Sequence, residues 1–429
     1  MNPSLFSGQS IPFRDLRELK DRLLSVSRRF PYAMMLDNCE SGVDRYGRFE
    51  LLLGLGGSGC RRITDWDALK RFATLEDSWL MGAFPYELKN LLEPSLSTLA
   101  PESIAFPETA IFVPEIVIAV ERDSAEVRFL GDGAEELIRN LPPPDFQEKI
   151  GKSPQFQSNF SRAEYIETIH RLREHIREGD FYEFNLSQSY FADFRLADPA
   201  GLFRKLISLS PVPFAAFLQF GSKALICASP ERFLQLHNGQ LLSQPIKGTA
   251  ARGKTASIDR RNMKRLRLSV KEQAENVMIV DLTRNDLHRA CRPHTVEVPH
   301  LFDIQTFPQL HQMVSTVTGR KAAHLNWLQA FSRIFPPGSM TGAPKVKVME
   351  MIDRYEPNAR GIYAGSAGYV SPGGDFDLNV IIRSLVYDDV AEKLSYHVGG
   401  AITYDSDPEK EFEETLVKAK GIRALFGGS

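Results

Sequence analysis

AAFLQFGSKALIC, residues 215–227, holds two short apolar runs, 215–220 and 224–227, parted by a glycine turn. Runs of that length bounded by turn residues read as strands. Other strand-like stretches are 49–55, 111–113, 116–120, 181–190 and 386–387. Helical patterns are interspersed among them and do not alternate strictly with them. The chain therefore reads as α+β with large, mostly antiparallel sheets, and not as a doubly wound parallel sheet.

The clearest helix opens at SRAE (161–164), a capping box with Ser161 as N-cap and Glu164 at N3. Tyr165, Ile166, Ile169, Leu172 and Ile176 form one apolar stripe, and Gly179 can close the helix in the left-handed region. Before it, residues 141–158 are rich in Pro, Gln, Lys and Ser, beginning Pro142-Pro143-Pro144. That composition predicts a surface connection between an N-terminal region, 1–150, and a second region, 151–429. The glycines at 54, 56, 57 and 59 lack the GxxxxGK[ST] order of a phosphate loop and read as a turn.

The chain has 429 residues, a net charge of −2 and 43% hydrophobic residues, enough apolar material for a sizeable core. The basic stretch RRNMKRLR (260–267) is short and reads as a solvated helix face, so no nucleic-acid partner is expected. Cys39, Cys60, Cys227 and Cys291 form no CxxC pair, so neither a zinc site nor a disulfide framework is expected. No secretory signal and no apolar span of membrane length is legible, which suggests a cytoplasmic protein without a membrane partner.

Six groups could carry chemistry. Lys247 in QPIKGT (244–249) sits between a proline and a glycine, where desolvation could free its amine as a nucleophile. Glu231 in ASPERF (228–233) follows an apolar strand, a place for a general acid of raised pKa. Glu275 lies beside the apolar run 277–280, which predicts burial, and an unpaired buried carboxylate calls for a cation. Arg284-Asn285-Asp286 reads as that helix's end. Asp407-Pro408 reads as a helix cap, placing Glu411, Glu414 and Lys418 on one face. Such carboxylates suit magnesium better than zinc. GSMTGAPK (338–345) opens a helix, a natural anion site. YAGSAGY (363–369), Arg383 and Gly399-Gly400 combine close backbone approach with a bidentate carboxylate hold.

Taken together, SPERF (229–233), PIKGT (245–249), AENVMIVDLTRND (274–286), GSMTGAPK, YAGSAGY, IRSL (382–385), GGAI (399–402) and the acidic C-terminal helix resemble, in order, the chorismate-utilising enzymes. The resemblance covers about residues 155–425 and is closest to the branch that exchanges the C4 hydroxyl of chorismate for an amine. It implies a sandwich of large antiparallel sheets with helices outside, to which residues 1–150 add strands. It also implies Mg2+ held by Glu275 and Glu414 with Glu411 nearby, Glu231 as the acid that protonates the departing hydroxyl, and Lys247 as a nucleophile adding at C2. Thr341, Gly342, Tyr363, Arg383, Gly399, Gly400 and Lys418 match substrate-binding positions. Ammonia would come from a separate glutaminase subunit. The anthranilate branch resembles this pattern with alanine in place of Lys247. The isochorismate branch uses a lysine where this chain has Glu183, and most amine-forming relatives have glutamine there. Gln312 stands where many relatives have histidine, and His311, one residue away on a strand, would face the other side. The alternatives are a relative making another chorismate product and a subunit that binds chorismate or an amino acid without turnover.

Overall fold

The computed structural model describes residues 5–6, 9–57, 66–73, 77–106, 109–147 and 153–427. Gly59, Cys60 and residues 148–152 of the expected connection lie outside them. Among the described residues the strands form two sheets, of twelve and nine strands, and every strand pair is antiparallel. No helix among them is long and apolar enough to cross a membrane.

Residues 215–227 explain the layering. Phe214–Phe220 pairs with Lys223–Ser229 on one side and with Tyr32–Asp37 on the other, near the middle of the larger sheet. Successive side chains alternate between faces. Ala216, Leu218, Leu225 and Cys227 pack with Met81, Ala83, Phe112 and Ala367 of the smaller sheet. Ala215, Phe217, Ala224 and Ile226 pack outward, against Leu19 and Leu23 of helix Leu16–Ser27 and Phe203 and Leu206 of helix Pro199–Leu209. A strand buried on both faces needs apolar residues throughout, so this stretch shows no polar alternation.

The helix at 161 forms over Arg162–Glu178, with both capping-box hydrogen bonds and with Gly179 left-handed at its C-cap. Pro408–Arg423 is likewise capped by Asp407. The helix carrying Glu275 departs from expectation. It runs from Val270 to His288, so Arg284-Asn285-Asp286 lies within it and does not end it. Asp286 is buried there against Lys345 at 2.8 Å. The run 277–280 is only partly buried: Ile279 and Val280 face the core, whereas Val277 is 48% exposed. An amphipathic helix buries one face only, so four consecutive apolar residues cannot all be interior.

Candidate active site

The chain crosses from the larger to the smaller sheet between Lys223–Ser229 and Arg232–His237, and Glu231 sits in that crossing. It returns between Phe376–Asn379 and Ser384–Asp388, where Arg383 adopts a left-handed φ of 51°. The crossings are hydrogen-bonded to each other: the Ala228 amide donates to the Arg383 carbonyl at 3.1 Å, and the Val380 amide to the Glu231 carbonyl at 3.0 Å. The candidate acid and the candidate carboxylate-binding arginine are thus fixed side by side.

Lys247 comes from the smaller sheet, on strand Ile246–Ala251, at an irregularity in its pairing with Leu310–Arg320. Gly248 follows with φ +92°, and a Cβ there would lie 2.8 Å from Glu272 Oε2, so the residue after the lysine must be small and left-handed. Glu183 opens strand Glu183–Asp193 of the larger sheet. Gly342–Ala343 pairs with its backbone so closely that a Cβ on Gly342 would meet the Glu183 carbonyl at 2.0 Å. Across the gap between the sheets, Lys247 Nζ donates to Glu183 Oε1 at 2.5 Å, with both side chains buried.

The electrostatics tie the remaining groups to this pair. Burial pushes the Glu231 carboxyl up to about 7, against the pull of Ser339, Lys247 and Arg383. Burial also raises Glu275 to about 7, opposed by Lys247 and Lys271. Desolvation would lower the Lys247 ammonium, but Glu183, Glu275 and Glu231 outweigh it and raise it. Lys271, 3.7 Å from Glu275, also feels Glu411, Glu272 and Glu414, so the helices Val270–His288 and Pro408–Arg423 bring their carboxylates together. Burial raises Glu411, although Ser406 donates to it at 2.9 Å. Partial desolvation would raise half-exposed Glu414, but Lys418 at 2.8 Å holds it low.

Most of the expected substrate contacts converge here. Arg383 is lowered by burial and opposed only by the charge of Glu231. Among the described residues its guanidinium has neither hydrogen-bond nor ion-pair partner, so it is open to an anion. Lys418 donates to the Gly399 carbonyl at 2.7 Å, and a Cβ on Gly400 would lie 3.5 Å from Glu411 Oε2. Tyr363 is buried and stacks on His397 at 4.9 Å. The Thr341 hydroxyl is already committed to the Gly338 carbonyl at 3.0 Å, so a ligand must share or displace that bond. Gln312 is buried with its amide oxygen unpartnered, whereas His311 faces away, bonded to Asp259 and Thr306.

Two buried arginines escape the sequence reading. Arg232, beside Glu231, pairs with Asp44 and Asp377 at 2.9 and 2.8 Å and locks the crossing. Arg360 pairs with Glu356 at 2.6 Å and donates to the carbonyls of Asn185 and Met340, joining the Glu183 strand to the loop before Thr341. Only adjacency to a motif could have signalled either one. A cavity of about 750 Å3 lies between residues 42–46, helix Ala256–Arg267 and strand Glu297–Thr306. None of Lys247, Glu183, Glu231, Glu275 and Arg383 lines it.

Residues 59–424 match the family described as chorismate binding enzyme. The chain belongs to that family. This chorismate binding enzyme is 39% identical over 342 residues to a chloroplastic aminodeoxychorismate synthase of Arabidopsis thaliana, covering 73% of this chain but only 37% of the relative's length. It is 36% identical over 346 residues to aminodeoxychorismate synthase component 1 of Salmonella typhimurium, covering 80% of this chain and 75% of that one. Its fold matches the crystal structure of anthranilate synthase component I from Streptococcus pneumoniae with a TM-score of 0.76 at 24% identity, over 97% of this chain and 92% of that one.

Proposed function

We propose that this chain acts as component I of aminodeoxychorismate synthase, converting chorismate and ammonia to 4-amino-4-deoxychorismate, a precursor of p-aminobenzoate and folate. The observation that carries this is the Lys247 amine held in a buried gap beside Glu231, with the Arg383 guanidinium, unpartnered among the described residues, at hand. In this reading Arg383 holds a substrate carboxylate bidentately. Glu231, protonated to about pH 7, gives its proton to the departing C4 hydroxyl. Lys247 adds at C2, ammonia then attacks C4, and the lysine is expelled. The covalent intermediate divides one hard displacement into two allylic steps.

Glu275, Glu411 and Glu414 fit a divalent cation by their chemistry. They are hard oxygen donors, and burial raises the first two in spite of the lysines near them. Among the described residues they are not drawn within 4.8 Å of one another; the one trio that is, His175, Glu178 and Asp180, has both its imidazole nitrogens bonded, to Asp180 and Tyr355. Magnesium bound by the three glutamates would supply positive charge for a substrate carboxylate. The name of the Salmonella relative, component 1, supports a second component, which we assign as a glutaminase that delivers ammonia.

The test is product identification. Purified chain, chorismate, Mg2+ and ammonium should give a 4-amino product, and Lys247→Ala should not. A 2-amino or 2-hydroxy product, or undiminished amination by Lys247→Ala, overturns the reading.

A further inference from the structure

We propose that Glu183 is the proton acceptor that frees the Lys247 amine, an inference that rests on the function proposed above. Among the described residues the Glu183 carboxylate accepts from Lys247 alone, and the Lys247 amine has no other hydrogen-bond partner. A carboxylate meant only to anchor would be expected to have further donors, as Glu356 does from Arg360 and Ser187. Glu183 is also rigidly placed. Its backbone pairs with Ala343, the preceding Tyr182 amide donates to the Ala343 carbonyl at 2.8 Å, and Arg360 grips the Asn185 carbonyl.

The charged groups facing the lysine are Glu183 from the larger sheet, Glu272 and Glu275 from helix Val270–His288, Glu414 from helix Pro408–Arg423 and Glu231 from the crossing, with Arg383 beyond Glu231. All five carboxylates favour the ammonium, and only an ammonium that loses its proton can attack. Transfer from Nζ to Glu183 turns a buried ion pair into a neutral pair, the form that water exclusion by a bound substrate favours.

The protons balance. Lys247 ammonium and Glu183 carboxylate become amine and carboxylic acid. The amine forms a bond to C2, the C1–C2 and C5–C6 double bonds move to C1–C6 and C4–C5, and the C4–O bond breaks as Glu231 gives its proton, releasing water. Ammonia bonds to C4, the C2–N bond breaks, and its electron pair returns to Lys247. The new C4 ammonium returns a proton to Glu231, and Glu183 returns its own to Lys247.

The experiment compares turnover with lysine titration in the whole chain. Turnover is measured from about pH 6.5 to 9 with Mg2+, saturating chorismate and constant free ammonia, a range below the ordinary lysine pKa. Lys247 titration is followed by its labelling rate with fluorodinitrobenzene, read by peptide mass. In the native chain the nucleophilic step should proceed at pH values where labelling reports the ammonium, because the acceptor is internal. In Glu183→Gln the turnover relative to the native chain at the same pH should follow the labelling curve, falling about tenfold per pH unit below the lysine pKa, while any limb set by Glu231 is common to both and cancels. If native turnover also follows the labelling curve, or if Glu183→Gln shows the native pH profile, Glu183 only holds the lysine and the inference fails. Both results presuppose a Lys247-dependent 4-amino product. Failure of the function reading shows instead as a wrong product or as undiminished amination by Lys247→Ala.

Discussion

Lys247 Nζ and Glu183 Oε1 meet at 2.5 Å although 64 residues and two different sheets separate them. Removing one partner of a buried pair leaves an uncompensated charge. Lys247→Ala should therefore lower stability by ~3–5 kcal/mol near neutral pH. Urea unfolding at about pH 7.5 measures this, well above the ordinary glutamate pKa. Restoration by Glu183→Gln in the same chain would assign the loss to the stranded carboxylate, and a loss unchanged in the double variant would exclude that cause.

The alkaline limb of the rate should report Glu231. In the proposed function Glu231 acts only when protonated, and burial pushes its carboxyl up to about 7. Above that value the proton is lost, so kcat should fall with rising pH at constant free ammonia. Glu231→Gln, which has no proton to give, should lose about 10²–10⁴-fold in kcat and the limb with it. An alkaline limb that persists in the variant would belong to another group.

Among the described residues the Arg383 guanidinium has no hydrogen-bond or ion-pair partner to surrender when an anion binds. Arg383→Met should raise KM for chorismate by about 10–100-fold, the worth of one charge-assisted hydrogen-bonded contact, with a smaller effect on kcat. Steady-state kinetics separate the two, and an unchanged KM would place the substrate carboxylate elsewhere.

Raised carboxylates make the ligand-free protein less stable as pH rises. Glu275 is about 7 when folded, above the ordinary glutamate value, so the folded state binds more protons between the two. Stability from this group is present at low pH and lost as pH rises through 7. Glu275→Gln should raise the melting temperature at about pH 8 without Mg2+, past the folded-state titration. The native chain should gain stability from added Mg2+ there, and the variant should gain less. An equal gain in both would put the cation elsewhere.

The larger features were legible because they depend on local sequence. Strands such as Phe214–Phe220 are apolar on both faces, and the helices at Arg162 and Pro408 carry their caps beside them. The motif residues Glu231, Lys247, Glu275 and Arg383 do meet. Contacts across the sheets were not legible. Nothing near Glu183 announces Lys247, and Arg360 acts through carbonyls, which no side-chain pattern encodes. Val277 misled because a contiguous apolar run on a helix spans both of its faces.

The paired crossings divide the site into a fixed half and an adjustable half. Glu231 and Arg383 sit where one layer is stitched to the other by backbone hydrogen bonds, so their spacing belongs to the architecture. Lys247 and Glu183 reach the gap as side chains from strands that the stitch does not include. Under the proposed function, exchanging those two would alter which nucleophile enters while the groups that release the hydroxyl and hold the carboxylate keep their spacing. One scaffold can thereby change reagent without being rebuilt.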